Sequence, residues 1–311
     1  MEPILLKPFY VSPVWAGTHL AQIRGLDASA KDNHGEAFDV SAHPTTCGVI
    51  LNGPWAGMSL ADAIAAHKAE LLGDVPEDAV VQVTWMDPVQ NLSIQVHPTD
   101  EYARKADGDF GKTESWYIAE AAPGATLIGG CTTDDHDALR EAAADDTIGD
   151  KYCKRVSVKA GDFVFVPAGT MHALGPGCFA VEIGSFGNQT YRMCDWGRGR
   201  ELHVEKAFDV VDTSLEPTVR HLGAWSADAP AQEQLGAECA QFKATVVDVS
   251  PSWSADTNGR YQVVTCVGGT AKVSTADGEV VLGYTDSCLI PACCASYTVS
   301  GPCRIIQAVR P

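Results

Sequence analysis

The chain has 311 residues, 45% hydrophobic and 20% charged, with 22 Lys and Arg against 40 Asp and Glu for a net charge of −18. This is enough apolar material for a sizeable core and enough length for about two domains, which excludes wholesale disorder and a single small module. An acidic field of this size repels nucleic-acid backbones and anionic lipid, so neither is an expected partner, and any anionic substrate must be held by local cations. No apolar run approaches the roughly 20 residues that span a bilayer. Met1, Glu2 and Pro3 lack the basic start of a secretion signal, and the expected compartment is the cytoplasm. The 11 cysteines show no repeated C-x-x-C pair and read as reduced, mostly buried thiols.

In chain order, Ser59 N-caps a helix whose Leu60, Ala63, Ile64 and Leu71 share one face and which Gly73 stops. Short β-branched runs at 80–85, 163–166, 180–183, 262–266 and 304–307 predict strands. Further helices are predicted over 134–144 and over 203–211, the latter with Val204, Ala207, Phe208 and Val211 at helical spacing. Residues 212–233 carry no period and read as a connection. The expected organisation is a unit over 1–212 with an N-terminal sheet extension and helices, a connection over 213–233, and a second β unit over 234–311. An internal echo supports the split. Asp162 is followed by Pro167-Ala168 and His172, and Asp286 by Pro291-Ala292 and Ser296, at the same offsets.

Three stretches carry chemistry. Ser93, Gln95 and His97 alternate along 91–98, so a strand there projects all three from one face, and Lys112 and Glu114 alternate in the same way. The turn G-D-x-x-x-x-P-x-G-x-x-H over 161–172 delivers His172 to the start of a strand. Polar groups aimed into a barrel are costly unless paired or ligating. Gln95, His97, Glu114 and His172 together offer two imidazoles, a carboxylate and an amide oxygen, a donor set suited to one Zn2+ per chain with positions open to water or substrate.

The 161–172 turn resembles the second signature of the cupin barrel, a double-sheet jelly roll. The wider match is closer. Residues 92–98, 111–114, 167–173 and 190–196 resemble, in order, the motifs of type I mannose-6-phosphate isomerases in their short bacterial form, and 15–17, 35–44 and 200–207 are similar to other segments of that family. The resemblance runs from about residue 8 to residue 211 and is faint beyond. It implies a mostly β protein of two cupin-type jelly-roll barrels with a few peripheral helices, the second barrel degenerate. It implies zinc on Gln95, His97, Glu114 and His172, and interconversion of mannose 6-phosphate and fructose 6-phosphate. Arg192 matches the family's catalytic arginine, Ser93 and Lys112 match pocket positions, and Glu182 matches an acidic pocket residue. The turn 196–200 is compressed relative to the family and leaves Arg198 or Arg200 for the phosphate.

Aldose–ketose exchange moves a proton between C1 and C2 through an enediol whose oxygens carry developing charge, which a bound cation and an arginine stabilise. Glu182 and Lys112 are the expected proton carriers, burial raising the pKa of one and lowering that of the other. Trp15, Trp116 and Tyr117 read as core aromatics, and His43 and His203 as structural. Two other functions share these residues: a non-haem Fe(II) cupin oxygenase, and a sugar-phosphate-binding cupin without turnover. The sequence leaves monomer and homodimer equally open.

Overall fold

The computed structural model describes residues Met1–Pro311. Its strands form two seven-stranded sheets and two smaller sheets of five and four strands. Each large sheet faces a small one to make a barrel, and the architecture is two jelly rolls of the cupin kind, with six short helices on the periphery.

Side-chain alternation explains how the barrels fit together. On strand Glu114–Ala121, Trp116 and Ile118 join a cluster inside the first barrel, while Tyr117 points the other way. Strand Cys178–Gly184 turns Ala180 inward and Val181 and Ile183 outward. The second barrel does the same, with Val264 and Ile305 inside and Val263 and Ile306 outside. The outward residues of both large sheets merge into one shared core of 33 buried residues. These strands are therefore buried on both faces, which is why they read in sequence as continuous apolar runs rather than alternating ones.

The predicted helices are present over Leu60–Leu71, His136–Ala144 and Val204–Val210. Ser59 caps the first by accepting from the Asp62 N–H, and Gly73, at φ +69, stops it. Helix Asp100–Ala106, capped by Thr99, is an addition to the sequence reading.

Two strands near the ends of the large sheets link distant parts of the chain. Ile4–Lys7 pairs with Ser287–Ile290 of the second barrel, Ile4 opposite Leu289. Thr218–His221, inside the stretch read as a connection, pairs with Asp162–Val166 of the first barrel. Each borders the strand that begins one copy of the sequence echo, so the two copies hold matching places in their sheets. The match ends at the inward residue. His172 is buried, whereas Ser296 is exposed and its neighbour Tyr297 is the residue that enters the second barrel.

Candidate active site

The five-stranded sheet sets one row of the site. Strand Ile94–Val96 lies between Tyr191–Cys194 and His172–Ala173, and its register puts Gln95 opposite both Arg192 and His172. From the facing sheet come Glu114, at the start of its strand and opposite Gly184, and Glu182 on the adjacent strand. A Cβ on Gly184 would stand 3.1 Å from Glu182 Oε1 and 3.8 Å from Lys112 Cε, so a side chain there would crowd the pair. The strand at 91–98 is shorter than predicted, but Ser93 still donates to Gln95 Oε1 at 3.2 Å.

His97, Glu114 and His172 are fully buried and offer ligand atoms within 4.8 Å of one another. His97 Nδ1 bonds the Gln189 carbonyl and His172 Nδ1 the Thr170 carbonyl, each at 2.8 Å. A carbonyl only accepts, so each Nδ1 carries the ring proton and each Nε2 presents a lone pair. Those lone pairs face a carboxylate: Glu114 Oε2 is 3.3 Å from His97 Nε2, and Oε1 is 3.1 Å from His172 Nε2. His97 Nε2 has no hydrogen-bond partner, and the only donor that reaches the Glu114 carboxylate is the Lys112 ammonium. Buried acceptors that converge with so few donors between them are the signature of a cation site, and the residues present fit a divalent metal. Gln95 Nε2 lies 3.4 Å from His172 Nε2, and a half-turn of that amide would bring its oxygen to the same point.

Electrostatics keep the cluster in its ligating form. Burial pushes His97 down to about 4 against the pull of Glu114, leaving a neutral imidazole. Burial alone would raise Glu114, but Lys112 and the two imidazoles hold it well below the usual carboxylate range. Lys112 Nζ forms ion pairs with Glu114 Oε2 at 2.7 Å and Glu182 Oε1 at 2.8 Å. The expectation that burial would loosen the Lys112 proton is corrected here: the two carboxylates outweigh burial and raise the ammonium instead. Burial raises Glu182, with Lys112 opposing.

Above this floor opens a cleft of about 570 Å³, lined by Ser93, Gln95, Lys112, Glu182, Arg192 and Arg200 among others. Arg192 keeps a buried Nε without a partner while its Nη1 donates to the Glu201 carbonyl. His203 braces it, accepting from the Arg192 N–H at 3.1 Å and donating to the Arg192 carbonyl at 2.7 Å. Arg198 lies off the cleft, spending Nε on Asp195 and Nη1 on the Asn91 carbonyl. Arg200 also bonds Asp195, at 2.6 Å, yet lines the cleft. Trp15 combines core and cleft wall. Trp116 is core, its ring edge-on to His172 at 5.6 Å, and Tyr117 meets Arg304 of the second barrel at 3.1 Å. Glu36, Thr45, Thr46, Asn188 and Thr190 also line the cleft. None had a role in the sequence reading, though Glu36 and Thr190 stood in segments singled out there.

Fold and site together define an enzyme of the cupin superfamily with a candidate metal centre. The family profile described as "Mannose-6-phosphate isomerase, cupin domain" matches residues 234–309. Mannose-6-phosphate isomerase of Streptococcus mutans is 30% identical over 99% of this chain and 98% of its own. Mannose-6-phosphate isomerase ManA of Bacillus subtilis is 30% identical over 96% of each. The crystal structure of the mannose 6-phosphate isomerase from Bacillus subtilis superposes with a TM-score of 0.87 at 26% identity, covering 99% of both chains. The chain belongs to the type I mannose-6-phosphate isomerase family.

Proposed function

We propose that this isomerase interconverts mannose 6-phosphate and fructose 6-phosphate in the cytoplasm by enediol proton transfer, with one Zn2+ on Gln95, His97, Glu114 and His172. The observation that carries the reading is the convergence of two imidazole lone pairs on one buried carboxylate at the base of a cleft that also holds Lys112, Arg192 and Arg200. When bound, the metal supplies Lewis acidity toward the sugar oxygens that gain charge during the exchange.

The chain's own groups do the rest. Glu182 faces the cleft and carries the proton between C1 and C2. The Lys112 ammonium, held between Glu114 and Glu182, keeps both carboxylates oriented and supplies positive charge beside the reacting carbons. Arg192, with its free Nε, donates to the oxygen that becomes anionic. Ser93 hydrogen-bonds a sugar hydroxyl. Arg200 takes the phosphate against the molecule's negative field, and Arg198 serves that end of the cleft by holding Asp195. In this reading 1–212 is the catalytic unit, joined through 213–233 to the C-terminal β unit 234–311, with the strands at 4–7 and 218–221 tying the units together.

The test is a coupled assay for fructose 6-phosphate formed from mannose 6-phosphate, on protein purified without added metal, then chelator-stripped, then reloaded. Conversion that disappears with the chelator and returns with one equivalent of zinc is expected. Stoichiometric iron with oxygen uptake, or tight mannose 6-phosphate binding without turnover, would overturn it.

A further inference from the structure

The loops that carry His97's partner and Lys112 meet on a carboxylate for which the catalytic reading has no use. Asp109 Oδ1 accepts from the Phe110 N–H at 2.8 Å, and its Oδ2 accepts from Gln189 Nε2 at 2.9 Å. His43 Nε2 lies 3.3 Å from Oδ1. The Thr45 N–H donates to His43 Nδ1 at 3.3 Å, so the ring proton sits on Nε2 and His43 donates to Asp109. Gln189 is thus gripped through its side chain by Asp109, while its carbonyl grips His97 Nδ1 at 2.8 Å. Its neighbours are pinned as well, Asn188 donating to Thr46 Oγ1 at 3.2 Å and Thr190 Oγ1 standing 3.4 Å from His97 Nδ1. The two loops lie backbone to backbone, since a Cβ on Gly187 would come within 2.3 Å of the Phe110 and Gly111 carbonyl oxygens.

We propose that Asp109 is a positioning residue for the metal centre, acting through Gln189 to fix the tautomer and direction of His97, with His43 as its brace. The proposal rests on the reading of His97 as a metal ligand. The partner of a ligating imidazole's other nitrogen sets both its orientation and its basicity. That partner here is a loop carbonyl, which holds its direction only while its own residue is anchored. Asp109 supplies the anchor from the same turn that leads, three residues on, to Lys112. The structural reading of His43 from sequence thereby gains a specific content: it reaches the metal ligand through two intermediaries.

The test measures zinc affinity directly, by competition between the stripped protein and a chromophoric chelator. Asp109→Ala and Gln189→Ala are each expected to weaken binding about 10-fold. The double variant should be no weaker than the worse single one, because both cut one chain of contacts. Asp109→Asn, which keeps an acceptor for Gln189, should recover part of the loss. If Asp109→Ala fails to fold, Gln189→Ala carries the test alone. Wild-type affinity in Asp109→Ala, or additive losses in the double variant, would overturn the positioning role and leave the zinc reading standing. A wild-type protein that holds no zinc would overturn both.

Discussion

The two barrels place their strands alike and fill them differently. In the first, strands Glu114–Ala121 and Cys178–Gly184 turn Glu114, Trp116, Ala180 and Glu182 toward the interior. In the second, the strands in the same sheet positions turn Val264, Cys266, Cys303 and Ile305 inward, and the interior is a closed cluster of 15 buried residues. The second barrel's only buried carboxylate, Asp248, faces Arg304 in a two-pronged pair at 2.7 Å. Barrel closure is indifferent to this choice; chemistry is not. Convergent acceptors survive in a core only when something positive joins them, and the first barrel provides lysine, arginine and room for a metal, while the second spends its buried arginine, Arg304, on Asp248 and brings no cluster of acceptors together.

That contrast is most exposed at the metal ligands. His172→Ala should abolish zinc retention and lower turnover by at least about 10³-fold, since it removes a ligand outright, whereas Tyr297→Phe in the second barrel should leave both unchanged. Elemental analysis together with the coupled assay checks this, and an equivalent of zinc still bound in His172→Ala would erase the distinction between the barrels. Next in size is the pair between the barrels. Arg304 also donates to Tyr117 of the first barrel, so Asp248→Ala strands a buried guanidinium and should cost about 3–5 kcal/mol of stability. Denaturant titration reads the loss, while the zinc stoichiometry of the folded fraction should stay at one. A loss of zinc would mean that the filled barrel sets the geometry of the other. Arg192→Ala should keep zinc and lower kcat about 10²-fold, as expected for a donor acting on developing charge. An unchanged kcat would remove it from the reaction.

How much of this was legible in the sequence follows from which signals are local. The inner strands of both barrels showed as apolar runs because both faces are buried, and the ligand set showed because Gln95 and His97, and Lys112 and Glu114, keep a period of two. Strand Ile4–Lys7 gave no such sign: its partner Leu289 lies at the far end of the chain, and strand pairing at that distance leaves no local trace. Helix Asp100–Ala106 was readable from the Thr99 cap and the acidic first turn and basic last turn, but its seven residues give too short a period to stand out. Arg198 and Arg200 were equivalent on paper because both lie in the compressed turn 196–200, and only the path of that turn sends one of them to the cleft. Asp109 and Gln189 carry no spacing signal at all, since their contact is made between loops 80 residues apart.

The smallest expected effect separates the barrels by pH. Glu36 lines the cleft near Lys112 and Arg200, and burial pushes its carboxyl up to about 7 in spite of those cations. Its ordinary value is 4.5, so between pH 4.5 and 7 the folded chain binds a proton there that the unfolded chain has released. Stability from this group is therefore complete below pH 4.5 and is lost as pH rises through 7. Glu36→Gln removes the dependence. At pH 8 the variant should be more stable than the wild type by about 1–2 kcal/mol, less than the full shift implies because the side chain reaches solvent in the cleft. At pH 4.5 the two should converge. Denaturation midpoints at the two pH values decide the matter, and a difference of equal size at both would assign the effect to packing. A pH dependence near neutrality that Glu36→Gln abolishes belongs to the first barrel, which keeps this carboxylate beside its cleft.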